Sequence, residues 1–100
     1  MENQVVIFIM QKLFRDVIMI KVLFFARLRE QLSTDSLEIS PIDNMTTDHI
    51  RLQLADKNET WAKLMSADSL LVAVNQQITD WSHNVVSGDE VAFFPPVTGG

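Results

Sequence analysis

Met19-Ile20-Lys21-Val22-Leu23-Phe24-Phe25, residues 19–25, is rich in β-branched, aromatic and aliphatic side chains and carries one charge. That composition predicts a strand buried on at least one face. Side chains alternate along a strand, so Ile20, Val22 and Phe24 share the core face. Lys21 marks the wetter face, with Leu23 and Phe25 beside it. Working outward, residues 27–32 suit a helical turn and Ser33-Thr34-Asp35-Ser36 supplies turn chemistry. Leu37-Glu38-Ile39-Ser40 then alternates apolar and polar, as a second strand would.

Thr46 is a good N-cap for a helix with Asp48 in its first turn, and Met45 and Ile50 occupy the two positions of a hydrophobic staple. Ile50, Leu54 and Trp61 fall near one stripe, so this helix should lie on the sheet and continue or restart at residues 59–65. Leu70-Leu71-Val72-Ala73-Val74 is a continuous apolar run that suits a central strand. Asn75-Gln76-Gln77 is a polar break and Ile78-Thr79 a brief edge strand. Ser87-Gly88-Asp89 is a turn delivering Glu90-Val91-Ala92-Phe93-Phe94 into a last strand, with Val91 and Phe93 inward. Two hairpin-like pairs around one helix make an α+β domain. The order fits a β-grasp fold, with first and last strands parallel in mid-sheet, and it equally fits a split βαβ arrangement.

The chain has 100 residues, enough for one domain with one core. Its net charge of −5, with eight basic residues scattered among thirteen acidic ones, argues against nucleic-acid binding, which depends on clustered Lys and Arg. Cysteine is absent, which excludes disulfides, thiolate metal sites and a cysteine nucleophile. No apolar stretch approaches the length of a membrane span, and the start lacks a basic n-region and a cleavage site, so a cytoplasmic protein is expected. His49 and His83 lack the spacing of a metal site, and no metal is expected. Asp89-Glu90 reads as turn chemistry, and Trp61 and Trp81 as ordinary packing. With no Gly-rich phosphate loop, no cofactor should be bound by this chain.

Three units emerge. Residues 1–18 are an extension with three open readings: an upstream start ahead of Met19, an extra strand or arm packed on the domain, or a targeting or partner segment. Residues 19–94 are the domain. Residues 95–100, Pro95-Pro96-Val97-Thr98-Gly99-Gly100, form an extended tail, because proline cannot donate to a sheet ladder and holds the chain open. Six such residues reach roughly 20 Å, enough to enter a partner's active site. Gly99 and Gly100 have no Cβ, so their backbone can pass a constriction. Taken alone, the glycine pair also suits a frayed end.

The first-strand segment through Ala26, then Leu71-Val72-Ala73-Val74-Asn75-Gln76, then Gly88-Asp89-Glu90-Val91-Ala92-Phe93-Phe94 and the tail closely resemble the family of molybdopterin synthase sulfur-carrier (small) subunits. The resemblance runs from residue 19 to residue 100 in order and spacing. It implies a ubiquitin-like β-grasp fold, with a mixed sheet packed on one main helix. It also implies that ATP is used by an adenylating, E1-like sulfurylating partner, which joins AMP to Gly100, and that sulfur is then carried there as a thiocarboxylate. The large catalytic subunit of the synthase would be the second partner, in an assembly of two small and two large subunits that converts cyclic pyranopterin monophosphate to molybdopterin. On this reading the chain alone catalyses nothing. Phe25, Ile78 and Phe94, left over after the core is filled, are the candidate contact patch, leading into Pro95, Pro96, Val97 and Thr98; a second small core is the other reading for Phe25 and Phe94. A carrier for thiamine or another thiolated product, and a ubiquitin-like modifier or interaction domain, are the rivals.

Overall fold

In the computed structural model, which describes residues 3–96, the predicted strands and helices assemble on a single five-stranded sheet. Nine elements are described: α1 (Asn3–Ile18), β1 (Ile20–Phe24), α2 (Ala26–Leu32), β2 (Ser36–Ile39), α3 (Thr47–Ala55), α4 (Glu59–Met65), β3 (Leu71–Val74), β4 (Gln77–Thr79) and β5 (Glu90–Phe94). The sheet order is β2-β1-β5-β3-β4. β1 and β5 run parallel, with Val22 opposite Val91 and Phe24 opposite Phe93, and the other pairings are antiparallel. This is the β-grasp topology, which settles the choice against the split βαβ alternative.

The alternation read from the sequence decides what is buried. Ile20, Val22 and Phe24 of β1 and Val91 and Phe93 of β5 are all buried, and Val72 and Val74 of β3 join them. The helices cover this face through Leu28, Ile50, Leu54, Trp61 and Met65. Phe24 lies at the centre, stacked on Phe93 with ring centroids 6.0 Å apart and edge-on to Trp61 at 5.3 Å. Such geometries let one ring's positive edge meet another's negative face, or offset the two faces.

The expected main helix is two helices, for local reasons. Thr46 caps α3 by accepting the His49 N–H at 3.2 Å, and His49 Nδ1 accepts the Thr46 N–H at 3.0 Å, so a histidine fills the place that glutamate usually takes in a capping box. α3 stops at Asp56, and Asn58 restarts the chain by accepting the Trp61 N–H at 3.0 Å. Asn75 and Gln76, both with positive φ, form the two-residue turn between β3 and β4, a backbone shape whose twist matches paired strands. The loop before β5 is pinned to α3: buried Thr47 donates its hydroxyl to the Asp80 carbonyl at 2.7 Å, and Val85 N–H donates to the Met45 carbonyl at 2.8 Å.

Because Phe93 is fully buried between Phe24 and Trp81, Phe93→Ala should leave a cavity at the sheet's centre. A loss of about 3–5 kcal/mol is expected, read from the midpoint of urea unfolding.

Candidate functional site

β5 determines where the chain leaves the sheet. Its inward side chains, Val91 and Phe93, hold it in the core, and its outward ones, Glu90, Ala92 and Phe94, lie on the face that no helix covers. Phe94 is opposite Leu71, and Ala92 lies between Ala73 and Leu23, with Ile78 across from Ala73. Apolar side chains thus run from Ile78 through Ala73 and Ala92 to Leu23, with Leu71 and Phe94 in the next row toward the tail. Lys21 and Glu90, paired opposite one another, and Glu38 beside Lys21 form a charged border at the far end.

Phe25 continues β1 with extended backbone, φ −121° and ψ 159°, and its N–H donates to the Phe93 carbonyl at 3.2 Å. The chain then turns sharply into α2 at Ala26, which has φ 56°. An alanine in the left-handed region bears a steric cost of about 1 kcal/mol. The result is a groove of about 790 Å³ beside the tail exit, lined by Phe25, Arg27, Leu64, Phe94, Pro95 and Pro96 among others.

The structure therefore brings Phe25, Phe94, Pro95 and Pro96 together, and it leaves Ile78, 70% exposed on the edge strand, at the other side of the open face. Phe25 is 45% exposed and Phe94 half-buried, against the complete burial of Phe24 and Phe93 next to them. Val97, Thr98, Gly99 and Gly100 lie outside the described residues. Sequence reasoning missed Leu71, Ala73 and Ala92 as the bridge between Ile78 and Phe94. Period-2 alternation from Val72 and Val91 would have placed them there. It also missed Arg27 and Leu64, which only the packing of α2 near α4 brings to the groove.

The polar candidates are accounted for by local structure. Asn75 Nδ2 donates to Asp89 Oδ1 at 3.0 Å, Asn75 Oδ1 accepts the Glu90 N–H at 3.0 Å, and Asp89 Oδ2 accepts the Val86 N–H at 2.9 Å. These bonds hold the turn that launches β5. Trp81 is stacked on Phe93 at 6.0 Å, with the Arg51 guanidinium 4.6 Å over its ring and Asp48 holding that guanidinium. Among the described residues no group of His, Cys, Asp or Glu side chains could hold a metal, and no helix is long and apolar enough to cross a membrane.

A five-stranded mixed sheet with parallel β1 and β5 at its middle, an uncovered apolar face and a Pro-Pro exit defines a ubiquitin-like β-grasp protein. The chain belongs to the ThiS family, whose model matches residues 22–100. It is 48% identical over 82 residues to the molybdopterin synthase sulfur carrier subunit of Escherichia coli (strain K12), a match covering 82% of this chain and 100% of that protein. The corresponding subunit of Haemophilus influenzae is 44% identical, with the same coverage. Among solved structures, the Haloferax volcanii HVO 2177 protein superposes with a TM-score of 0.69 at 25% identity, covering 83% of this chain and 87% of that one. A complex of subunits 1 and 2 of molybdopterin-converting factor from Helicobacter pylori 26695 shares the fold, with a TM-score of 0.58 at 23% identity, covering 82% and 99%.

Asp80 lies beside the α3 cap. The Asp80 carboxylate accepts from the Ser82 hydroxyl at 2.8 Å and the Ser82 N–H at 3.0 Å, which hold its pKa below the ordinary value. A lowered folded-state pKa contributes stability above the unfolded-state value near 4, and this contribution is lost as pH falls through the folded value. Asp80→Asn should therefore be slightly less stable at pH 7 and show a shallower fall in stability below about pH 4, measured by urea unfolding across pH.

Proposed function

We propose that this chain is a sulfur carrier for molybdenum-cofactor synthesis, working through the C-terminal carboxylate of Gly100. The observation that carries the reading is the match, at 44–48% identity, to the whole length of two sulfur carrier subunits and 82% of this chain, together with a last strand that ends at Phe94 and leads directly into Pro95-Pro96. The anchored strand and the stiff dipeptide give the carrier a fixed base from which a reactive terminus can be presented.

A carboxylate is an anion and a poor electrophile. An adenylating, E1-like partner supplies ATP, the Gly100 carboxylate attacks the α-phosphate, and pyrophosphate leaves. The resulting acyl-adenylate has AMP as a good leaving group. Sulfide-level sulfur from a donor attacks the carbonyl carbon and AMP leaves, giving the thiocarboxylate. In the large subunit of the synthase this group attacks a carbon of cyclic pyranopterin monophosphate and displaces an oxygen leaving group, and water then cleaves the resulting thioester, leaving sulfur on the precursor and restoring the free carboxylate. Two transfers yield the dithiolene of molybdopterin, in an assembly of two small and two large subunits. The partner subunit supplies the pocket, proton transfers and transition-state stabilisation, and this chain supplies the reagent. A cytoplasmic location, where ATP is at hand for that partner, belongs to the same proposal.

Intact mass spectrometry after incubation with ATP, the adenylating enzyme and a sulfur donor tests the chemistry. An oxygen-to-sulfur mass increment is expected on the native chain and not on a Gly100 deletion. Stable conjugates to lysines in place of the increment would assign it to the modifiers instead. The uncovered face and groove serve as the docking surface in this reading. Phe25→Ala and Phe94→Ala should each weaken association with the large subunit at least tenfold, measured by titration calorimetry, while shifting melting by no more than a few degrees. Equal losses of stability and binding would assign these rings to a second small core.

A further inference from the structure

Helix α1 presents an apolar face that its own domain does not cover. Ten large apolar side chains on it are between 39% and 67% exposed. Val6, Met10, Leu13 and Val17 recur at spacings of four, three and four, the seam of a heptad repeat, with Ile9 and Phe14 flanking it. The opposite side of the helix, carrying Phe8 with Gln11, Lys12 and Arg15, borders a shallow cleft of about 450 Å³ whose other wall is Lys21, Leu37 and Glu38 of β1 and β2. The seam is thus turned away from the sheet.

Such a helix requires a partner. Six of its sixteen residues are β-branched, which lowers helix propensity, and a helix of this length is marginal in water unless one face is packed. We infer that α1 is a dimerisation element, in which the Val6-Met10-Leu13-Val17 seam packs against the same seam of a second copy about a two-fold axis. At about 150–200 Å² per large side chain, the exposed apolar surface of α1 is on the order of 1,000 Å². Burying half of it in each copy removes roughly 1,000 Å² in total, the lower limit for a specific interface. A self-complementary stripe on one helix is what an isologous pair uses.

Charge selects this occupant and its orientation. The chain carries −5, and Lys12 and Arg15 are the only basic residues of α1, too few to draw it to an anionic bilayer. Two domains of that charge repel one another side by side. An antiparallel pair sets them at opposite ends, opposes the helix dipoles and places Met10 against Leu13 of the second copy. α1 joins β1 through Met19 alone, at the end of the sheet opposite the one from which Pro95 leaves, because β1 and β5 are parallel. Pairing through α1 therefore leaves both tails and both open faces accessible.

Sedimentation of the full chain over a range of micromolar concentrations tests the inference. A reversible shift from 11.4 kDa toward twice that mass is expected. Leu13→Glu, which buries a charge in the seam, should weaken the pair at least about 100-fold. Gln11→Glu, on the opposite flank, should leave it intact, with the domain's thermal melting retained in both variants. A wild-type chain that stays monomeric, a dimer insensitive to Leu13→Glu, or binding of the monomer to phosphatidylcholine vesicles would each overturn it.

Discussion

The parallel ladder between β1 and β5 is the interaction on which everything else rests. It joins the first strand of the domain to the last and sets Val22 against Val91 and Phe24 against Phe93. Those side chains form the floor on which α2, α3 and α4 pack. The same ladder points β5 in the direction of β1, which sends Phe94, Pro95 and Pro96 out at one end while α1 enters at the other. Core, tail exit and extension are thus consequences of one register.

That register also divides the chemistry of each strand. Every inward position of β1 and β5 is apolar and fully covered, so the core needs nothing from their other face. The outward positions are free to hold Leu23, Ala92 and Phe94, an apolar strip that would be costly to expose over a large area without a partner to cover it. Small Ala73 and Ala92 keep the middle of the strip low, and the larger Phe25 and Phe94 stand beside the tail exit. The polar bonds among Asn75, Asp89 and Glu90 hold the turn before β5, so the strand that carries the exit is anchored at its start as well as along its inner face.

Most of the fold is legible in the sequence because the strands obey strict alternation and the breaks carry their own chemistry. Residues 20, 22, 24, 91 and 93 could be placed in the core from periodicity alone, and Thr46 announced its helix through capping. The topology was less accessible, since the same order of elements serves two sheets, and the family resemblance was needed to choose between them. At the site, Phe25 and Phe94 were found by elimination from the core. Their groove was not, because Arg27 and Leu64 reach it only through the packing of separate helices, which no local pattern records. Residues 1–18 stayed open between readings because a run of β-branched residues suits a strand as well as the helix the chain adopts at residues 3–18. For His49 the sequence showed only that it lacks metal-site spacing, because its role in the α3 cap depends on a backbone N–H three residues earlier.

The β1–β5 ladder has a consequence for how the protein comes into being. Its two strands lie at opposite ends of the domain sequence, so bringing them together requires closing almost the whole chain into a loop before either gains its central neighbour. During synthesis, β5 leaves the ribosome after every other described strand and helix. The nascent chain can form the β1–β2 hairpin and the helices while it is being made, but the sheet stays split down its middle until Glu90–Phe94 emerges. A product that stops before residue 90 therefore lacks the central strand together with the Pro95-Pro96 exit, whereas loss of Gly100 alone leaves β5 whole.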